Sequence, residues 1–265
     1  MTELLKRTLV EKPWGQLGLP PVFNVSPGQR IGEIWFERTA CPLSLMLKFL
    51  FTDENLSVQV HPSDSQARQR GLPSGKEECW LILDAAPDAR LAIGLKQPCD
   101  ADTLRRAAQS GAIMEMLEWV PVSRGDFFYV PAGTIHAIGA GVTLVEVQQN
   151  ADITYRLFDY GRPRELHLED GIAVATAAPY DHSLYRHVDL NEDAMLVTGP
   201  KFSLMLCGQE ISSLAGVGPY LVTPLSGTTT CAGITVRQGQ FLASDEIPDL
   251  MNSPDARLLV ARACV

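Results

Sequence analysis

Four residues of this 265-residue chain could meet at one metal ion: Gln59, His61, Glu78 and His136. Two imidazoles and a carboxylate are the donor set that Zn2+ takes in catalytic sites, with positions left open for water or substrate. The amide oxygen of Gln59 would add a harder, weaker ligand. Two neutral imidazoles, an amide and one carboxylate leave a divalent ion with net positive charge, useful as a Lewis acid. The competing reading makes His61 and His136 hydrogen-bonded core histidines and Glu78 a solvated strand end. His167, His182 and His187 have no comparable setting and are read as solvent-facing or loop residues.

The surrounding sequence can hold each candidate still. Residues 127–130 form an apolar run that Pro131 stops and Gly133 turns, and His136 follows at once. Proline cannot donate to a strand ladder and glycine accepts turn conformations. The pattern therefore predicts a strand, a tight turn and a second strand that opens on an imidazole. Residues 56–62 read as a short strand ended by Pro62, with Gln59 and His61 on one face and Val58 and Val60 on the other. Glu78 opens an apolar strand at 78–83, and a further strand is expected at 142–149.

Strands are also expected at 31–37 and 45–51, the latter with Leu45, Leu47, Phe49 and Phe51 on one face and Lys48 on the other. Lys48 would either snorkel to an edge, the commoner case, or enter a polar cavity. The polar segment 63–76 reads as a short helical turn and loop, and short helices are expected near 102–109, 113–117 and 168–176. The first dozen residues are polar and mixed and lead into a turn-rich opening. From 185 onward come further short strands, near 202–207, 220–223, 234–236 and 257–263, with no second set of ligands. Many short strands with turn signals and few helices indicate an all-β protein, best suited to a double-sheet jelly roll. Pro179 marks the expected boundary, giving a metal-binding domain at 1–178 and a smaller, degenerate one at 179–265.

Composition narrows the class. With 46% apolar and 20% charged residues the chain is an ordinary globular protein. A formal net charge of −9 argues against nucleic acid or an anionic membrane as partner, but permits a locally basic pocket for an anionic metabolite. The six cysteines are scattered without a C-x-x-C pair, which reads as reduced thiols in a cytoplasmic protein. The first residues lack an apolar signal core, and no apolar run approaches membrane-spanning length.

The spacing Gly125-x5-Pro131-x-Gly133-x2-His136 resembles the second motif of the cupin superfamily, and Gln59-x-His61 with Glu78 resembles the first, with glutamine in place of its first histidine. Gln-Val-His-Pro, Lys-x-Glu-Cys-Trp, Gln-Gln-Asn-x-Asp-x-Thr-Tyr-Arg and the opening Lys12-Pro13-Trp14-Gly15 together resemble class I mannose-6-phosphate isomerases. The resemblance covers roughly residues 12–178 and weakens in the tail. It implies a zinc ion, one per chain, on Gln59, His61, Glu78 and His136, a cupin jelly roll with two cupin-like regions, and interconversion of mannose 6-phosphate and fructose 6-phosphate through an enediolate. It also implies active-site roles for Lys76, Arg156 and Asp152. From the residues alone, an Arg156–Asp152 salt bridge at helical spacing is the preferred reading. This chain departs from longer family members in lacking a large helical insertion. A non-catalytic sugar-binding cupin and a metal-dependent oxygenase are the other readings. Nothing basic is attached through which a sensor could act, and the Gln-x-His pair with Lys76 and Arg156 favours a phosphosugar over oxygen chemistry.

Overall fold

The computed structural model describes residues 1–38, 41–208, 211, 214, 216 and 218–264. Two antiparallel sheets sandwich the candidate residues. The larger runs in the order Tyr185–His187, Asp126–Val130, Glu78–Ala85, Val142–Gln149, Leu45–Phe51, Ile31–Glu37 and Lys6–Gln16. The smaller runs Tyr155–Phe158, Val58–Val60, His136–Ile138, Arg90–Leu95 and Leu117–Pro121. The result is the expected all-β jelly roll with a few short helices.

Alternation along the strands gives each sheet two different faces. In the smaller sheet Val58, Val60, Ala92, Ala137 and Leu157 point outward and pack beneath Leu104, Ala107, Ile113 and Val174 of helices Ala101–Ser110, Ile113–Met116 and Leu168–Val174. Its inner face, with Leu91, Ile93 and Ile138, meets Leu50, Trp80, Ile82, Phe128 and Leu144 of the larger sheet. The outer face of the larger sheet is apolar as well, through Leu45, Leu47, Phe49, Cys79, Leu81 and Val147. It packs on Phe202, Leu204, Leu206, Leu221 and Leu259 of a third, six-stranded sheet built mainly from the C-terminal region. A three-stranded sheet (Ile234–Arg237, Thr228–Cys231, Met251–Asn252) completes that region.

The chain crosses between these units twice. Strand Thr2–Leu4 pairs with Leu242–Ser244 of the C-terminal sheet, while Tyr185–His187 pairs with Asp126–Val130 of the larger sheet. The opening residues therefore form two strands, not a polar lead-in. The second, Lys6–Gln16, is an edge strand exposed at Lys6, Glu11 and Pro13, which dilutes its alternation. All six cysteines are free. Among the described residues no helix is long and apolar enough to cross a membrane.

The shared core has an aromatic centre: Phe241 lies 4.7 Å from Phe36 and 5.5 Å from Phe49, ring to ring. Phe241→Ala removes that contact from both units and should cost about 3–5 kcal/mol in denaturant unfolding. A loss below about 1 kcal/mol would mean that the two units do not share one core.

Candidate metal centre

His136 opens its strand directly opposite Gln59, and Arg156 lies opposite Gln59 on the other side. Residues directly opposite in a sheet share a face, so His136, Gln59 and Arg156 form one row on the inner wall. The larger sheet supplies the facing row, in which Glu78 pairs with Gln148, and Glu146 pairs with Lys48 on one side and Trp80 on the other. The Pro131–Gly133 turn joins the two motifs physically. Gly133, at φ +87°, donates its N–H to the His61 carbonyl at 2.8 Å. A Cβ there would come within 2.8 Å of Thr176 Oγ1, so both the conformation and the space require glycine.

The two imidazoles are set for metal binding by their other nitrogens. His61 Nδ1 meets the Ile153 carbonyl at 2.8 Å and His136 Nδ1 meets the Thr134 carbonyl at 2.9 Å. A carbonyl only accepts, so each Nδ1 carries the proton and each Nε2 keeps a free lone pair. Both Nε2 atoms face Glu78 Oε1, at 3.7 Å from His61 and 3.3 Å from His136. Burial, followed by the Lys76 charge, lowers the His61 pKa to about 3; burial is also the leading cause of the lowered value at His136. Both rings are therefore neutral and open to coordination near neutral pH. The Gln59 amide nitrogen lies 3.1 Å from His136 Nε2, and exchanging the two ends of that amide would turn its oxygen to the same point.

Glu78 is fully buried, and its Oε1 accepts no hydrogen bond from the described residues. Lys76 Nζ sits 2.7 Å from Glu78 Oε2 as an ion pair and 3.4 Å from His61 Nε2. Burial opposes the Glu78 charge, but the Lys76 ammonium outweighs it and holds the carboxyl well below its usual range. An ionised carboxylate oxygen with no donor, facing two unprotonated nitrogens, is the arrangement a divalent cation completes. His61, Glu78 and His136 offer ligand atoms within 4.8 Å of one another. The residues present thus fit a metal ion.

Charges continue along the inner wall. Glu146 Oε1 is 3.5 Å from Lys76 Nζ and 3.4 Å from Lys48 Nζ, all three side chains being buried. Lys48 therefore enters the polar cavity and does not snorkel to an edge. Its partner Glu146 leaves it no reason to reach solvent, and its ammonium also lies 5.1 Å from the Trp35 ring. Sequence reasoning passed over Glu146. Its only signal is Val145-Glu146-Val147, an acid between two residues that pack on the opposite face. Burial would neutralise Lys76, but Glu146 first and Glu78 next raise its pKa above the usual lysine value and keep it charged. Arg156 lies in strand Tyr155–Phe158 and donates from Nη1 to the Glu165 carbonyl at 2.5 Å, not to Asp152. Strand geometry replaces the expected helical spacing, and Asp152 lies exposed before that strand. His167 Nδ1 accepts the Arg156 backbone N–H at 3.3 Å, and His187 pairs with Asp126 at 2.8 Å.

A jelly roll whose inner wall brings together two imidazoles and a carboxylate from the two cupin-like motifs has the make-up of a cupin that could hold a metal ion. The chain resembles, more specifically, the class I mannose-6-phosphate isomerases. "Mannose-6-phosphate isomerase ManA" of Bacillus subtilis (strain 168) is 42% identical over 163 residues, 58% of this chain and 51% of its own length. "Mannose-6-phosphate isomerase" of Streptococcus mutans is 37% identical over 180 residues, 65% of this chain and 57% of its own. The chain thus spans about half the length of the curated relatives it matches. In fold the likeness is more extensive. The crystal structure of the mannose 6-phosphate isomerase from Bacillus subtilis superposes with a TM-score of 0.77 over 98% of both chains at 24% identity. A variant of phosphomannose isomerase from Salmonella typhimurium superposes with a TM-score of 0.73 at 14% identity. No protein-family model matches the chain.

The donor set predicts that the metal-free chain takes up one divalent ion. His136→Gln should lower its occupancy at micromolar metal to below about a tenth, read by elemental analysis. Undiminished metal in that variant would remove His136 from the ligand set.

Proposed function

We propose that this chain is a zinc-dependent mannose-6-phosphate isomerase, with Gln59, His61, Glu78 and His136 as ligands of one ion per chain. The observation that carries the reading is the pairing of that donor set with two cations from the two facing walls: Lys76, ion-paired to Glu78, and Arg156, in the row of Gln59 and His136. The names of the relatives support the substrate.

Aldose–ketose exchange opens the sugar ring, takes a proton from C2 and returns it to C1 through an enediolate. A divalent ion, when bound, orients the sugar oxygens and offsets the charge that develops on them. Lys76 is a buried ammonium held by Glu78 and Glu146, so it meets an enediolate oxygen or a phosphate as a fixed charge. Arg156 offers a planar fork suited to a phosphate, and its bond to the Glu165 carbonyl orients it. Trp80 and Ile93, both fully buried beside the site, exclude bulk water and strengthen these charges. Asp152 takes a role at the rim through the family resemblance alone. The six free thiols suit a reducing cytoplasm. We read residues 1–178 as the metal-binding unit and 179–265 as the degenerate one, with the strand exchanges described above tying them together.

A coupled assay on mannose 6-phosphate should show turnover that a chelator removes and added zinc restores. No turnover in either state would leave the non-catalytic sugar-binding reading. Arg156→Ala should retain its metal and lose on the order of a hundredfold in turnover. Unchanged turnover would take Arg156 out of the site.

A further inference from the structure

Lys201 lies outside the metal-donor set, in the turn between strands Ala194–Thr198 and Phe202–Cys207 of the C-terminal sheet. Its ammonium forms an ion pair with Asp64 Oδ2, and both side chains are largely covered, at 23% and 22% exposure. Asp64 begins the short helix Asp64–Gln69, which Ser63 caps. The other Asp64 oxygen, Oδ1, points back toward the site. It accepts the Gly75 N–H at 2.9 Å and the Gln149 side-chain amide at 3.1 Å.

Gln149 extends the network to the next residues. Its Oε1 accepts the Glu77 N–H at 3.0 Å, and its own N–H donates to the Glu77 carbonyl at 3.0 Å. Between them the Lys76 N–H donates to the Pro62 carbonyl, also at 3.0 Å. Three successive amides, of Gly75, Lys76 and Glu77, are thus each held by a partner that Asp64 or its neighbours place. A Cβ on Gly75 would lie 2.3 Å from the Pro62 carbonyl oxygen, so the two backbones touch there. The Glu77 carboxylate accepts from Tyr129 Oη at 2.5 Å, and the Tyr129 ring stacks 5.8 Å from Phe202 of the C-terminal sheet. The segment that presents Lys76 and Glu78 is therefore fastened to the C-terminal unit at both Asp64 and Glu77. Lys201 and Asp64 hold each other strongly: the Lys201 hydrogen bond leads the interactions that lower the Asp64 pKa to about 2 against the opposing cost of burial.

We infer that Lys201, through Asp64 and Gln149, is a positioning residue that fixes the Gly75–Glu77 backbone and hence the Lys76 ammonium. This inference rests on the isomerase reading for its kinetic consequence but not for its structural one. It gives the ligand-free C-terminal unit a task at the active site: it is the anchor against which the Lys76 segment is held. A misplacement of about 1 Å in a reacting group can cost up to a hundredfold in rate, and loosening one anchor of several should cost less.

The test uses the full-length metal-loaded protein with Lys201→Met and Lys201→Arg. Lys201→Met should turn over mannose 6-phosphate about tenfold more slowly, with unchanged KM and bound zinc, and Lys201→Arg should recover most of that loss. Asp64→Asn added to Lys201→Met should cause little further loss, because both act through one contact. Undiminished turnover in Lys201→Met, or a loss that follows lost zinc or a lowered melting temperature and is not recovered by arginine, overturns the inference. Where the unaltered protein has no isomerase activity the proposed function fails instead, and hydrogen exchange decides the clamp. Faster exchange of the Gly75, Lys76 and Glu77 amides in Lys201→Met supports it, and unchanged exchange refutes it.

Discussion

The structure depends on keeping the Glu78 carboxylate ionised with no solvent around it. A lone carboxylate in that position would protonate, because burial disfavours the charged form. Lys76 is what prevents this, at 2.7 Å, and Glu146 in turn keeps Lys76 charged. Burial in the same wall keeps both histidines neutral, and the Ile153 and Thr134 carbonyls, by accepting from the Nδ1 N–H groups, leave both Nε2 atoms unprotonated. Buried pairs of this kind rarely add net stability compared with apolar packing. Their presence here fits the proposed function, which needs charge stored where an ion and an anionic sugar would meet it.

That requirement explains the sandwich. The smaller sheet brings its histidines and glutamine, the larger its carboxylates and lysines, and neither wall alone would satisfy the other's charges. The outer faces are apolar for a simpler reason. Helices cover Val58 and Val60, while the C-terminal sheet covers Leu47, Phe49 and Leu81. The C-terminal unit is thus needed twice, as the cover of a sheet that would otherwise expose a broad apolar face and as the anchor of the Lys76 segment.

Much of the geometry of the candidate metal centre was legible in the sequence because its signals are local. Val58-Gln59-Val60-His61 states which side chains share a face, and Pro131, Gly133 and His136 state where the turn falls. Strands 31–37, 45–51 and 142–149 could be read from composition and alternation alone. Other features were not legible because they arise from pairing across long stretches of chain. Lys48 and Glu146 meet only when strands nearly a hundred residues apart align, and each looks solvated within its own strand. The Lys201–Asp64 contact joins residues 137 positions apart. The first strands were hidden because an edge strand exposed at Lys6, Glu11 and Pro13 resembles a polar lead-in, and Thr2–Leu4 finds its partner only at Leu242–Ser244. Arg156 was misread locally since helical spacing to Asp152 suggested a pair that strand geometry forbids.

The central claim is that two neutral imidazoles and the Lys76-guarded carboxylate hold one ion. Anomalous diffraction from zinc-soaked crystals at the zinc absorption edge tests it most directly. The account predicts a single strong peak within about 2.0–2.2 Å of His61 Nε2, His136 Nε2 and a Glu78 carboxylate oxygen. A crystal with no peak between those three residues, or with its only strong peak elsewhere, would contradict it.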